Sequence, residues 1–135
     1  MKLHLIAGAR PNFMKVAPIY HALSADSRFR LSLVHTGQHY DTAMSELFFT
    51  DLALPEPDYH LGVNTGSHAH QTAGVMLSYE AVMEADTPDL TIVVGDVNST
   101  LACALTAAKL CVPVAHLEAG LRAHDRTMPE EINRV

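Results

Sequence analysis

Short apolar runs alternating with stretches of helical spacing constrain this chain more than any other feature. The runs are Leu3-His4-Leu5-Ile6-Ala7, Leu31 to Thr36, Tyr59-His60-Leu61, Leu90-Thr91-Ile92-Val93-Val94 and Val112-Pro113-Val114-Ala115-His116-Leu117. The Leu90 run is apolar on both faces, as a central parallel strand with helices on either side requires. Helices are predicted from the Gly8-Ala9-Arg10-Pro11 turn to about Leu23, over Thr42 to Phe49, over Ser67 to Ala85 and from Ser99 to about Leu110. Pro129 opens a last one, with proline in its first turn. A βαβαβαβαβ alternation predicts an α/β fold with a Rossmann-like, doubly wound parallel sheet.

The first helix offers Met14, Ile19, Ala22 and Leu23 to the core. Pro18, which has no N–H to donate, is expected to kink or restart it. The Ser67–Ala85 helix offers Ala69, Ala73, Met76, Leu77, Ala81 and Met83 or Glu84. Asn98-Ser99-Thr100 reads as a helix start. With 48% apolar and 18% charged residues, the chain can bury a packed core. The net charge of -6 comes from scattered acids, and Lys and Arg are not clustered. That argues against a nucleic-acid surface. No run approaches the ~20 apolar residues of a membrane helix. The N-terminal apolar stretch is too short for a signal peptide. A soluble, cytoplasmic protein is expected, with Cys103 and Cys111 as buried, reduced thiols.

In an open parallel sheet, ligands bind beyond the carboxyl ends of the strands, where strand order reverses. For the order 3-2-1-4-5 that crevice lies between strands 1 and 4. Arg10 follows strand 1, Asp96 follows strand 4 and Glu118 follows strand 5. Arg10 and Lys15 flank the start of the first helix, whose free N–H groups and partial positive charge favour phosphate or diphosphate. The plainer alternative is a structural ion pair between Arg10 and Asp96 or Glu118. Neither G-x-G-x-x-G nor a Walker pattern is present. Asp96 could cap the following helix, although Asn98 and Ser99 can serve there; Glu118 has no such duty. Glu130 and Glu131 sit at a helix start, where acids favour the dipole. Beside Asp96 and Glu118, Glu130 makes a carboxylate cluster suited to proton transfer, since crowded carboxylates raise one another's pKa. His35, His39, His116 and His124 are candidates to line the same cleft. His68 and His70 lie about 200° apart on a helix, a poor pair for chelation, and no metal site is expected.

These residues fall in linked motifs: Gly8-Ala9-Arg10-Pro11-Asn12-Phe13-Met14-Lys15, Thr36-Gly37-Gln38-His39, Val94-Gly95-Asp96-Val97-Asn98-Ser99-Thr100, His116-Leu117-Glu118-Ala119-Gly120-Leu121-Arg122 and Met128-Pro129-Glu130-Glu131-Ile132-Asn133-Arg134. In this order they resemble the N-terminal part of the non-hydrolysing UDP-N-acetylglucosamine 2-epimerases. The resemblance implies two Rossmann-like domains of glycosyltransferase-B type with the active site between them. It implies interconversion of UDP-N-acetylglucosamine and UDP-N-acetylmannosamine, by elimination of UDP and its return to a 2-acetamidoglucal. Asp96, Glu118 and Glu130 match the family's catalytic carboxylates, and Arg10 and Lys15 its substrate-binding cations. The resemblance further implies no metal or nicotinamide cofactor, a homodimer, and a place in polysaccharide precursor synthesis.

The family's chains are much longer than this one. Residues 1–135 are therefore expected to be an N-terminal Rossmann-like domain, incomplete at its C-terminal end, without the second domain and inactive alone. Three alternatives remain at this point. One is a hydrolysing epimerase or one for another UDP-acetamido sugar. Another is a non-catalytic sugar-nucleotide-binding or dimerisation domain. The third is a flavodoxin-like fragment whose charges merely pair.

Overall fold

The computed structural model describes residues 1–37, 50–64 and 66–135, apart from the side chain of Arg10. Its elements are β1 (Lys2–Ala7), α1 (Arg10–Ser24), β2 (Arg30–His35), β3 (Tyr59–His60), α2 (His68–Ala85), β4 (Leu90–Val94), α3 (Asn98–Lys109), β5 (Val114–Leu117) and α4 (Pro129–Arg134). The helix expected over Thr42 to Phe49, together with Gln38 and His39, lies outside the described residues.

The five strands are parallel, in the order β3-β2-β1-β4-β5. The direction of winding therefore reverses between β1 and β4, as the 3-2-1-4-5 reading requires. Central strands alternate their side chains between two apolar layers, the period-2 consequence of strand geometry. Leu3, Leu5, Ile92 and Val94 pack with Phe13, Val16 and Ala17 of α1. Ile6, Val34 and Val93 pack on the opposite side with Val75, Tyr79 and Met83 of α2 and Ala102, Cys103 and Ala107 of α3.

Several expectations need correction. Met14 is 62% exposed, and α1 buries Phe13, Val16 and Ala17 instead; Ile19 and Leu23 reach the core only partly, and Ala22 is exposed. The helix runs unbroken through Pro18, which lies on its exposed side. On α2 the buried stripe is Val75, Tyr79 and Met83, while Ala69, Ala73, Leu77 and Ala81 face outward. Each helix carries two apolar stripes, and apolar spacing alone does not say which one meets the sheet. Val112 and Pro113 precede β5 rather than belong to it. Both cysteines are free, but Cys111 is exposed.

The α2 face is fixed by a polar reason that apolar spacing hides. Tyr79 is fully buried, and its hydroxyl lies 2.9 Å from Thr91 Oγ1 and 3.2 Å from His4 Nδ1. His4 Nε2 is in turn 3.5 Å from Asp86 Oδ2, and Asp86 also pairs with Lys2. The hydroxyl thus ties α2 to β1 and β4 in one contact. Tyr79→Phe leaves two buried polar groups short of a partner, which costs about 1–3 kcal/mol; urea unfolding will show a lower midpoint with an unchanged slope.

His35 is buried, and burial, with His60 beside it, pushes its pKa down to about 4. Burial also lowers that of His4. Unfolded, these rings take up a proton near pH 6.5, a proton that the folded chain refuses. Stability is therefore full above about pH 6.5 and falls as pH drops, the His35 share being spent near pH 4. Urea midpoints measured between pH 7 and pH 4 will decrease steadily.

Candidate active site

The carboxyl ends of β1 and β4 are stitched together by Asn12, in the first turn of α1. Its Oδ1 accepts from the amides of Gly8 at 3.1 Å and Ala9 at 2.9 Å. Its Nδ2 donates to the Val94 carbonyl at 3.4 Å. The side chain is buried, so a single amide holds the β1–α1 turn against the tip of β4. It also commits the Gly8 and Ala9 amides, which are therefore not free to bind an anion. Gly8 itself is required by a close approach. A Cβ there would lie 2.7 Å from Ser99 Oγ and 3.2 Å from Thr36 Oγ1, whose hydroxyls bond to each other at 2.7 Å.

Lys15 Nζ forms an ion pair with Glu118 Oε2, joining the second turn of α1 to the end of β5. Glu118 adopts φ +65°, a left-handed conformation that costs a Cβ-bearing residue about 1 kcal/mol or more. Gly95, at φ +71°, lies beneath the same carboxylate, since a Cβ there would come 3.9 Å from Glu118 Oε2. Its amide donates to the Leu117 carbonyl at 3.0 Å, and His116 Nε2 donates to the Gly95 carbonyl at 2.6 Å. The two strand tips are thus locked, and Glu118 is held in a strained backbone state with its carboxylate over the β1/β4 crossover. Such an outlier is a reason to suspect function at Glu118.

Asp96 meets Arg134 rather than Lys15: Arg134 Nη2 lies 2.6 Å from Asp96 Oδ2. Asp96 does not cap α3. The cap position falls to Val97, with no side-chain bond, and Asn98, Ser99 and Thr100 are all buried. The two acids at the start of α4 separate. Glu130 is exposed, whereas Glu131 is buried and takes Arg122 Nε at 2.8 Å and the Ala123 amide at 2.9 Å. The Arg122 guanidinium holds the Glu131 carboxyl down at about pKa 2. Arg10 begins α1 close to these tips, though its side chain lies outside the described residues.

The structure therefore joins Lys15 to Glu118 and Asp96 to Arg134, and leaves Glu130 in solvent on α4. Asn12, Asn133 and Arg134 were not singled out by the sequence, and Glu131 was read there only as an acid at a helix start. Their signal was a buried amide or ion pair, which side-chain type alone does not reveal. Of the histidines, His35 lines a separate cavity of about 230 Å³ with Gly37, His60, Gly62 and Asn64. His124 sits in an exposed loop, and His39 lies outside the described residues. Among the described residues, no group of His, Cys, Asp and Glu is arranged to hold a metal ion.

A carboxyl with a depressed pKa stabilises the fold above its unfolded value and loses that contribution as pH falls through the folded one. Glu131 contributes in this way between its ordinary 4.5 and about 2. Glu131→Gln will remove this acid-sensitive window from the unfolding profile. Hydrogen exchange at Ala123 and its neighbours will quicken at neutral pH.

A family profile described as UDP-N-acetylglucosamine 2-epimerase matches residues 21–135. The UDP-N-acetylglucosamine 2-epimerase of Methanocaldococcus jannaschii is 47% identical over 135 residues, which is 100% of this chain and 37% of that protein. The UDP-2,3-diacetamido-2,3-dideoxy-D-glucuronate 2-epimerase of Pseudomonas aeruginosa is also 47% identical, over 100% of this chain and 38% of that protein. The crystal structure of the M. jannaschii enzyme in complex with UDP-GlcNAc and UDP superposes with a TM-score of 0.95 at 46% identity, covering 99% of this chain and 37% of that one. The chain thus spans little more than a third of the length of these relatives.

Proposed function

Because the chain belongs to the UDP-N-acetylglucosamine 2-epimerase family, we propose that it forms the N-terminal wall of a UDP-sugar 2-epimerase active site. On this reading residues 1–135 belong to the first of two Rossmann-like domains in a glycosyltransferase-B arrangement, and the second domain closes the site. The substrate is UDP-N-acetylglucosamine and the product UDP-N-acetylmannosamine.

The reaction removes the C2 proton and breaks the C1–O bond to UDP, leaving a 2-acetamidoglucal. UDP then adds back at C1 while a proton is delivered to the opposite face of C2. The proton on C2 is weakly acidic, so a positioned carboxylate must take it. The departing diphosphate carries the displaced electron pair, so cations must face it. Asp96, Glu118 and Glu130 supply the acid/base carboxylates, and Arg10 and Lys15 bind the diphosphate.

The observation that carries this reading is the Lys15–Glu118 ion pair at the crossover, with Glu118 held at positive φ. A diphosphate competes with Glu118 for the Lys15 ammonium. Substrate binding thus frees the carboxylate oxygen that the reaction needs. Epimerisation of UDP-2,3-diacetamido sugars is the second reading, favoured by the equal identity to the Pseudomonas enzyme.

The same reading makes the protein a homodimer and places it in the cytoplasm, serving polysaccharide precursor synthesis. An apolar surface supports the dimer: Leu77 is 69% exposed beside Met76, and Leu105 of the neighbouring helix is 39% exposed.

The isolated 135-residue chain will not turn over UDP-N-acetylglucosamine. Followed by a second domain, it will exchange the C2 hydrogen with D2O, read by NMR. Asp96→Asn, Glu118→Gln and Glu130→Gln will each lower kcat by about 10²–10⁴. Turnover by the chain alone, or full activity in the three variants, would overturn the proposal.

A further inference from the structure

Asp96 is held from behind by two consecutive residues of α4. Asn133 Nδ2 donates to the Asp96 main-chain carbonyl at 2.9 Å and to Asn98 Oδ1 at 3.2 Å. Arg134 Nη2 donates to Asp96 Oδ2, while Nη1 of the same guanidinium donates to the Leu121 carbonyl. The two partners are unequally covered: the Arg134 side chain is 9% exposed and that of Asp96 30%. The cation lies inside and the acid outside. Among the described residues no other side chain bonds to the Asp96 carboxylate, and Oδ1 has no protein partner. Oδ2 is thus clamped by a described partner and Oδ1 is not, in a side chain that is 30% exposed.

Attachment of α4 for its own sake does not call for this arrangement. The six-residue helix is already tied down by Glu131 through Arg122 and the Ala123 amide, and Ile132, its largest apolar side chain, is 54% exposed. An almost buried guanidinium is an expensive fastener, because its desolvation must be offset by a well-placed partner. Its planar fork can meet two acceptors in fixed directions, which a lysine ammonium cannot reproduce. Here the two acceptors are the carboxylate and the main chain of the loop that follows Glu118.

We propose that Arg134 is a positioning residue for Asp96: its guanidinium selects the carboxylate rotamer that leaves Oδ1 unclamped and couples that rotamer to the loop at Leu121. The placement is independent of the reaction; its use in proton transfer rests on the epimerase reading given above. Glu130 lies on the same short helix, so Arg134 also fixes α4, with Glu130 on it, against Asp96.

The test is the rotamer itself. In the ¹³C,¹⁵N-labelled chain, three-bond couplings from Asp96 Cγ to its backbone N and C′ report χ1. The wild type will show one staggered rotamer. Arg134→Gln and Arg134→Met, the latter a similar-sized apolar replacement, will show averaged couplings at Asp96 in an otherwise folded amide spectrum. A single retained rotamer in either variant, or loss of the fold in both, overturns the proposal.

With a second domain present, Arg134→Met will lower kcat about a hundredfold with KM within about twofold, the signature of misplaced chemistry rather than lost binding. Averaged couplings with unchanged kcat overturn the role in the reaction. A wild type that exchanges no C2 hydrogen, with the couplings behaving as stated, sinks the epimerase reading and upholds the placement.

Discussion

The pairing of β1 with β2 on one edge and β4 on the other decides where everything else can go. A parallel strand must be followed by a crossover, and crossovers in one sheet keep one hand. With β1 central, the connection after it passes on one side of the sheet and those after β3 and β4 on the other, so the two layers part above the β1/β4 boundary. The gap is unavoidable in this strand order, and its edges are main-chain groups at the tips of buried strands. Such groups need partners. Asn12 supplies several of them with one side chain, through the Gly8 and Ala9 amides and the Val94 carbonyl.

Polar pairing then builds upward from that floor. Lys15 meets Glu118, Arg134 meets Asp96 and Arg122 meets Glu131. The chain is acidic as a whole, yet each of these carboxylates has its own cation. The three pairs differ in depth, and depth decides what each can do. Glu131 is sealed, so its pair fastens the loop. Glu118 and Lys15 are both partly open, so an incoming anion can compete for the lysine. Arg134 and Asp96 fall between, with a covered cation and an accessible acid.

Much of this architecture was legible in the sequence because it rests on short-range patterns. The Leu90–Val94 run, apolar on both faces, identified a central parallel strand, and the helix at Pro129 announced itself through proline in the first turn. The charges after β1, β4 and β5 could be grouped because the strand order alone places those ends together. What could not be read was which partner each charge finds. Arg134 and Lys15 are equally good cations on paper; the docking of α4 sends one to Asp96, and the packing of α1 sends the other to Glu118. Met14 and Leu77 show the same limit for packing. Both sit on credible apolar stripes, but the sheet accepts one stripe per helix, and the α2 choice follows the hydroxyl of Tyr79. Two adjacent glutamates at one helix start met opposite fates for a similar reason, since the loop folding back over α4 covers Glu131 and leaves Glu130 open.

Glu118 carries a conflict that outlasts any single measurement. Its backbone occupies a region where glycine rests at ease and a residue with a Cβ does not. The sequence has a glycine two residues later and another at the tip of β4, so the turn could have been built from comfortable parts. Selection for a sturdier fold and selection for a carboxylate therefore pull this position in opposite directions. Directed evolution screened on heat resistance alone would drift toward glycine at 118 and discard the carboxylate. A lineage that keeps glutamate there is recording, in its backbone, that something other than stability is being maintained.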